Sequence, residues 1–258
     1  MKILVCLKQV PHRDARLEVG GDGTWINDAS LKYEINDYDN YGLEAALRIK
    51  DAGDAEVVVV TVGPDRVVQS LRTALGMGAD RAIHVKDEAA SETDALGVAK
   101  ILAAVAKQES PDLVFCGLMA DDSNFGLVGP MLAQLLDIPH ASGIVSAEGP
   151  NGSITVEREL EGGALEVVGV PLPGLLTVQT GMNEVRYASL KGIMQAKKKP
   201  LDTKSLADLG LDAAAVAPKV SIEKIYVPQK GEGAEILDGS AAEVAQKLVG
   251  KVKELGLL

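Results

Sequence analysis

The first half of the chain alternates short β-branched runs with segments of helical periodicity, and this alternation constrains the fold more than any other feature. Apolar runs predict buried strands over residues 2–7, 56–62, 82–85 and 112–116. Apolar residues at helical spacing predict helices over residues 39–50, 65–75, 94–106 and 126–136. Continuous apolar strands separated by helices are typical of a parallel sheet covered on both faces. We therefore predict a doubly wound, mostly parallel α/β sheet.

The pattern changes after residue 139. Residues 153–159 alternate apolar and polar side chains, and two more short runs follow at 165–170 and 175–178, so we predict three antiparallel strands that extend the sheet. Residues 183–217 show little periodicity, and helical spacing returns over 241–255. These features predict one domain over residues 1–183 and a C-terminal arm with a terminal helix over 184–258. A long arm needs a second surface to lie on, which favours an obligate complex.

Composition excludes several classes of function. The chain has 258 residues and a net charge of −11, with no basic stripe, so it is not expected to bind nucleic acid. Its apolar runs are too short for membrane insertion, and the N-terminus lacks a signal-peptide cleavage region, so we expect a cytoplasmic protein. Cys6 and Cys116 end apolar runs and are interpreted as buried core residues. The three histidines are far apart, so no metal site is expected.

Common catalytic motifs are absent from the sequence. No Gly-x-Gly-x-x-Gly follows the first predicted strand, and there is no Walker-type loop, Gly-x-Ser-x-Gly elbow or Cys-x-x-Cys pair. Ser123 has no histidine close in sequence, which disfavours a nucleophilic hydrolase. No catalytic residue is therefore predicted.

The carboxyl ends of the predicted strands are the expected ligand site, since open α/β sheets bind ligands there. Three such ends, at residues 6–11, 62–64 and 117–129, suit a nucleotide. The third is polar in its middle and opens a helix whose free N–H groups could hold a phosphate. Asp121 and Asp122 would oppose an anion unless they turn toward ribose hydroxyls or backbone caps. A plain loop with Ser123 or Asn124 as the helix N-cap is the alternative.

A family resemblance rests on three stretches in the second half of the chain. They are Val-Pro-Leu-Pro-Gly-Leu-Leu-Thr-Val at 170–178, Asn-Glu-Val-Arg-Tyr-Ala-Ser-Leu at 183–190 and Ile-Met-Gln-Ala-Lys-Lys-Lys-Pro at 193–200. Together they closely resemble the signature of electron transfer flavoprotein β subunits, which usually has Pro in place of Val185. The likeness extends to residues 2–10, to Asn36 and its helix, to 62–64 and to 73–81.

The resemblance implies a Rossmann-like fold of the adenine nucleotide α-hydrolase-like type and a role in electron transfer. This β subunit would form a heterodimer with an α subunit, with the terminal helix packing on that partner. FAD would be held mainly by the α subunit, and AMP would be bound structurally here. The complex would take electrons from primary flavin dehydrogenases and pass them to a downstream acceptor. The implied cofactor-binding residues are Cys6, Asn36, Asp37, Tyr38, Asp39, Val62, Ala120, Asp121, Asp122, Ser123, Asn124, Phe125, Gly126, Leu127, Val128, Gly129, Pro130 and Met131.

Some of these positions carry finer expectations. Tyr38 matches an aromatic near the flavin ring in relatives, although it could simply pack the end of the sheet. Gly129 is expected to let the backbone approach the nucleotide. Met119, Asn124 and Leu127 depart from the usual family residues, much as in the subgroup serving methylamine-type dehydrogenases.

Two alternatives to the AMP-containing carrier stay open. A bifurcating β subunit would carry a second FAD in place of AMP, but such chains usually lack the Met-x-Ala-Lys-Lys-Lys sequence that this chain has at 194–199. A free adenine-nucleotide-binding module would share the core but would not need the arm after residue 183.

The segment 187–199 is the predicted docking site for dehydrogenases. The resemblance implies that this segment recognises the electron donor and that Leu190 enters an apolar pocket on it. The lysines at 191, 197, 198 and 199 could steer the encounter with an acidic partner face. The alternative is a short amphipathic helix packed on its own domain, with solvated lysines. The implied docking residues are Tyr187, Leu190, Ile193, Met194 and Lys197.

Overall fold

A computed structural model of the protein describes residues 1–149, 152–231 and 233–258. The strands are β1 (Lys2–Cys6), β2 (Gln9–Pro11), β3 (Tyr33–Ile35), β4 (Glu56–Val62), β5 (Arg81–Val85), β6 (Leu113–Gly117), β7 (His140–Glu148), β8 (Ser153–Glu159), β9 (Leu165–Pro171), β10 (Gly174–Val178) and β11 (Leu201–Lys204). The helices are α1 (Asp37–Ala52), α2 (Val67–Met77), α3 (Glu88–Ser91), α4 (Ala95–Glu109), α5 (Val128–Leu136), α6 (Leu190–Ala196) and α7 (Ala241–Glu254).

One nine-stranded sheet organises the molecule, in the order β11-β5-β4-β1-β6-β10-β7-β8-β9. The strands from β11 to β7 are parallel, and β8 and β9 continue the sheet antiparallel. A small antiparallel ribbon joins β2 to β3. The predicted α/β fold with a mostly parallel, Rossmann-like sheet and an antiparallel extension is confirmed.

The central strands have no polar alternation because both faces of the sheet are covered. Ile3 and Val5 of β1 point into a core shared with α1 and α2, whereas Leu4 and Cys6 point into a second core shared with α4 and α5. Because each face has its own helices, such a strand is predominantly apolar on both faces.

One predicted strand direction is wrong. The strand at 175–178 was expected to be antiparallel, but β10 lies between β6 and β7 and runs parallel to both. Short spacing after the β8–β9 hairpin suggested a meander, whereas the chain returns to the parallel part of the sheet. β7 escaped prediction because it is rich in Ala, Ser and Gly, and only Ala141 and Ile144 of its residues are fully buried.

The predicted arm over 184–258 has two parts. Its first part lies on the sheet: β11 pairs with β5, and Leu206, Leu209 and Val216 are buried in the core beside α4. Among the described residues of α7, none is buried. In the ranges that the structure describes, no helix combines the length and the apolar character needed to cross a membrane.

Candidate functional site

The carboxyl ends of β1 and β6 form the switch point of the sheet. β1 pairs with β4 on one side and with β6 on the other, so the chain leaves β1 in one direction and later returns on the opposite side. The loops that follow these two strands diverge and leave a crevice, which is where open α/β sheets bind ligands. Two of the three predicted nucleotide segments, 6–11 and 117–129, lie here, and the third follows the neighbouring strand β4.

Asn36 joins the start of α1 to the loop after β6. Its buried side-chain amide donates from Nδ2 to the Met119 carbonyl at 2.8 Å, and its Oδ1 accepts from the Asp121 N–H at 3.0 Å. The Asp37 N–H donates to Asp121 Oδ2 at 3.2 Å. The structure therefore brings the predicted residues of 36–39 and of 120–131 together at one edge of the sheet.

Asp39 joins the ends of the two central strands. Its carboxylate accepts from the Lys8 N–H at 2.6 Å and from the Gly117 N–H at 2.9 Å. Burial raises the pKa of Asp39 to about 7, although the hydrogen bonds from these N–H groups act to lower it. The buried carboxyl group of Asp39 thus links the ends of β1 and β6 at the base of the crevice.

Asp39→Asn is expected to change how stability depends on pH. The pKa of Asp39 lies above its ordinary value of 3.8, at about 7, so the folded protein holds a proton that the unfolded chain has released. That contribution to stability is fully present below about pH 4 and is lost as the pH rises through about 7. The Tm of wild type minus that of the variant should therefore fall from about pH 5 to about pH 8. A difference that is constant or grows would contradict this assignment, and the exposed Asp202→Asn serves as the control.

The acidic pair of the third loop is already engaged by groups outside α5. Asp121 accepts from the Asp37 N–H at 3.2 Å, and Asp122 Oδ1 lies 2.6 Å from Lys8 Nζ. The sequence left open whether these side chains turn toward ribose hydroxyls or toward backbone N–H groups, and Asp121 caps the N–H of Asp37. The role of Lys8 was missed, although a lone charge directly after a buried strand is a signal for it. These contacts reduce the negative charge that an incoming anion would meet.

At the start of α5, the backbone N–H groups of Val128 and Gly129 have no hydrogen-bond partner among the described residues. The N-cap is Leu127, and none of the described side chains caps the helix, so the alternative with Ser123 or Asn124 as the N-cap is wrong. The N–H groups of these two residues instead bond to the Ala120 carbonyl at 3.2 and 2.8 Å. An apolar helix start with free N–H groups and a positive dipole end suits a phosphate.

Close packing of α5 on the sheet depends on Gly129. A Cβ at this position would point at the sheet, and the expected role of Gly129 in giving the nucleotide room stays a prediction. A Cβ there would lie within 3.0 Å of Thr177 Cγ2 on β10, closer than real Cβ atoms come. Gly129 therefore lets α5 pack closely on β10, and its N–H group remains at the helix start.

Three of the predicted cofactor residues differ in how deeply their side chains are buried. The Cys6 side chain is buried in the core beside α4 and α5, next to Cys116, which confirms that both cysteines are core residues. The interaction with the neighbouring Cys6 thiol and burial both raise the pKa of the Cys116 thiol. Tyr38 is half-buried with its Cβ against Gly117, while Phe125 is 69% exposed.

The docking residues lie away from this crevice. Helix α6 packs on the C-terminal half of α2, toward the edge of the sheet where β5 begins, opposite the carboxyl ends that form the crevice. Tyr187, Leu190 and Met194 are highly exposed there, with 96%, 84% and 73% of their surfaces open. Lys199 was grouped with the steering lysines, but its Nζ donates to the carbonyls of Leu75 and Ala79 at 3.0 and 2.5 Å. It anchors the segment, and Lys191, Lys197 and Lys198 remain exposed.

Comparison with known proteins identifies the family. Residues 24–209 match the model described as "Electron transfer flavoprotein domain". The chain is 42% identical to the electron transfer flavoprotein subunit beta of Methylophilus methylotrophus, covering 98% of both chains. It is 40% identical to that of Bradyrhizobium diazoefficiens, covering 96% of this chain and 97% of the relative, and 34% identical to that of Mus musculus, covering 99% and 98%. The chain therefore belongs to the electron transfer flavoprotein family, in the group of its β subunits.

Proposed function

We propose that this β subunit pairs with an α subunit, and that the heterodimer takes electrons from primary flavin dehydrogenases onto FAD and passes them to a downstream acceptor in the cytoplasm. The chain is then a subunit of an electron carrier rather than a stand-alone enzyme.

The apolar surface after residue 217 is the observation that carries the proposed pairing. α7 is a well-formed helix with a capping box, in which the Ser240 N–H donates to Glu243 Oε2 at 2.8 Å and Ser240 Oγ accepts from the Glu243 N–H at 3.5 Å. Within the described ranges, however, no other part of the chain buries any residue of α7. Large apolar side chains exposed in this number indicate a surface that a partner covers. The exposed apolar residues here are Val220, Ile222, Tyr226, Val227, Ile236, Leu248, Val249, Leu255, Leu257 and Leu258.

The crevice at the switch point is the proposed AMP site. The N–H groups of Val128 and Gly129 would hold the phosphate, and Asn36 and Asp39 would keep the surrounding loops in place. This fit is supported by the uncapped start of α5 and by the acidic side chains held elsewhere. AMP supplies no chemistry to the transfer, and FAD supplies the redox centre. Tyr38, at the same edge, would exclude water from one side of the flavin.

The nucleotide content of the complex tests the AMP assignment. We expect the heterodimer purified after co-expression with its α subunit to release about one FAD and one AMP on denaturation, since one switch point provides one nucleotide site. Chromatography of the released nucleotides against standards measures both. Two FAD and no AMP would indicate the bifurcating alternative. A colourless, stable monomer with ATPase activity would indicate the free nucleotide-binding module instead.

The exposed segment 187–199 is the proposed dehydrogenase-docking surface. Leu190 is its apolar anchor, and the exposed lysines at 191, 197 and 198 accelerate the encounter with an acidic partner face. A carrier must also dissociate, so a small anchor suits it better than a broad apolar interface.

A further inference from the structure

Two glycines face each other where α6 crosses α2. A Cβ on Gly192 would lie within 3.0 Å of the Gly76 carbonyl oxygen, and a Cβ on Gly76 would lie 3.2 Å from the Cβ of Ala188. The two backbones therefore approach so closely that only glycine fits at position 192. Gly76 belongs to the sequence stretch 73–81, to which neither the nucleotide site nor the docking anchor assigns a role.

The two helices also cap each other. Arg72 of α2 donates from Nη1 to the carbonyls of Ala196 and Lys199, at 2.6 and 3.0 Å, at the end of α6. In return, Lys199 Nζ donates to the carbonyls of Leu75 and Ala79, at 3.0 and 2.5 Å, at the end of α2. Cations at helix C-termini satisfy carbonyls that the helix itself leaves unpaired. The close glycine contact and these reciprocal caps together form what we term the α2 seat, made of Arg72, Gly76, Gly192 and Lys199.

The seat explains how so short a helix is ordered. α6 has seven residues, and an isolated helix of that length is unstable in water. Its own N-cap, Ser189 Oγ accepting from the Gly192 N–H at 3.0 Å, adds one further hydrogen bond. Only Ala196 of α6 is buried, so little apolar burial holds the helix in place. Its order therefore depends mainly on the α2 seat.

We infer that the α2 seat presets the docking segment, and that its four members are positioning residues for recognition of the dehydrogenase. This inference rests on the proposed docking function of Leu190. With α6 fixed on α2, Leu190 projects outward in one orientation, so docking does not have to order the helix first. Rigid presentation of an anchor strengthens binding by lowering this ordering cost. Once the complex forms, the seat has no part in electron transfer itself.

Gly192→Ala tests the seat, because its methyl group forces α6 away from α2. We expect the KM of the dehydrogenase for the heterodimer to rise about tenfold, which corresponds to about 1.4 kcal/mol, while kcat at saturating carrier stays within about twofold. Amide hydrogen exchange over residues 190–196 should become faster, with flavin content unchanged. The control is Gly53→Ala, at an extended position with open space around it.

A second variant guards against misfolding of the first. Arg72→Met keeps an unbranched apolar stem but removes both hydrogen bonds to the end of α6, so it should raise the KM in the same way, and Arg72→Lys should restore part of the loss. In the double variant Leu190→Ala/Gly192→Ala, the KM should match that of Leu190→Ala alone, since the seat acts through the anchor.

The outcomes separate the two ideas. If Leu190→Ala raises the KM but Gly192→Ala and Arg72→Met do not, the docking surface stands and the seat is wrong. If Leu190→Ala leaves the KM unchanged, both are wrong. If the double variant shows additive losses, the seat does not act through Leu190 and the inference is overturned.

Discussion

Gly129→Leu is expected to impair assembly of the heterodimer severely. The new side chain would start within 3.0 Å of Thr177 Cγ2 on β10. Thr177 has no freedom to turn away, because it is buried and its Oγ1 accepts from the Gly143 N–H at 3.0 Å. Overpacking of a closed core destabilises by roughly 1–3 kcal/mol or more. Thermal unfolding and yield of the co-expressed complex measure the loss.

A compensating substitution distinguishes this packing role from a role in nucleotide binding. Gly129→Ala should lower Tm, and adding Thr177→Ser should restore it, since serine lacks the clashing methyl group and keeps the hydroxyl that Gly143 needs. Gly53→Leu, at an open position, is the control for the added bulk. If Thr177→Ser fails to rescue and the complex instead loses AMP, Gly129 acts through the nucleotide and the packing explanation is wrong.

Leu190→Ala is expected to slow electron transfer from the dehydrogenase about ten- to a hundredfold at limiting carrier concentration. Burying one aliphatic side chain contributes about 1.5–3 kcal/mol, and about 1.4 kcal/mol corresponds to one decade in affinity. Leu190 is 84% exposed and lies at the edge of the sheet opposite the crevice, so flavin content, AMP content and Tm should stay near wild type. Rates with the natural donor, measured against carrier concentration, test this.

Two comparisons make the Leu190 result specific. A small chemical reductant should reduce the variant as fast as wild type, because it needs no docking site. Leu165→Ala, which truncates another exposed leucine on β9, should leave the rate with the dehydrogenase unchanged. If the rates with both electron donors fall together, or if Leu190→Ala loses flavin, Leu190 supports the fold and the docking assignment fails.

The sequence alone determined the architecture of the parallel core, because strands covered on both faces must be apolar throughout and the intervening helices show their own period. It also located the loop after β6, since a polar stretch between a buried strand and a helix can lie only at the carboxyl edge of such a sheet. The family followed from stretches 170–178 and 183–200. None of these conclusions depends on which distant residues touch.

Only the tertiary structure decided the features that depend on contacts between residues distant in sequence. The direction of β10 follows from its place between β6 and β7, which local spacing does not encode. Lys199 binds the carbonyl of Leu75 in α2, which lies more than a hundred residues earlier in the chain, and so it is not one of the steering lysines. The contact of Gly129 with Thr177 likewise joins residues that are distant in sequence. Local periodicity indicates whether a residue is buried, whereas the residue that it contacts is determined only by the three-dimensional fold.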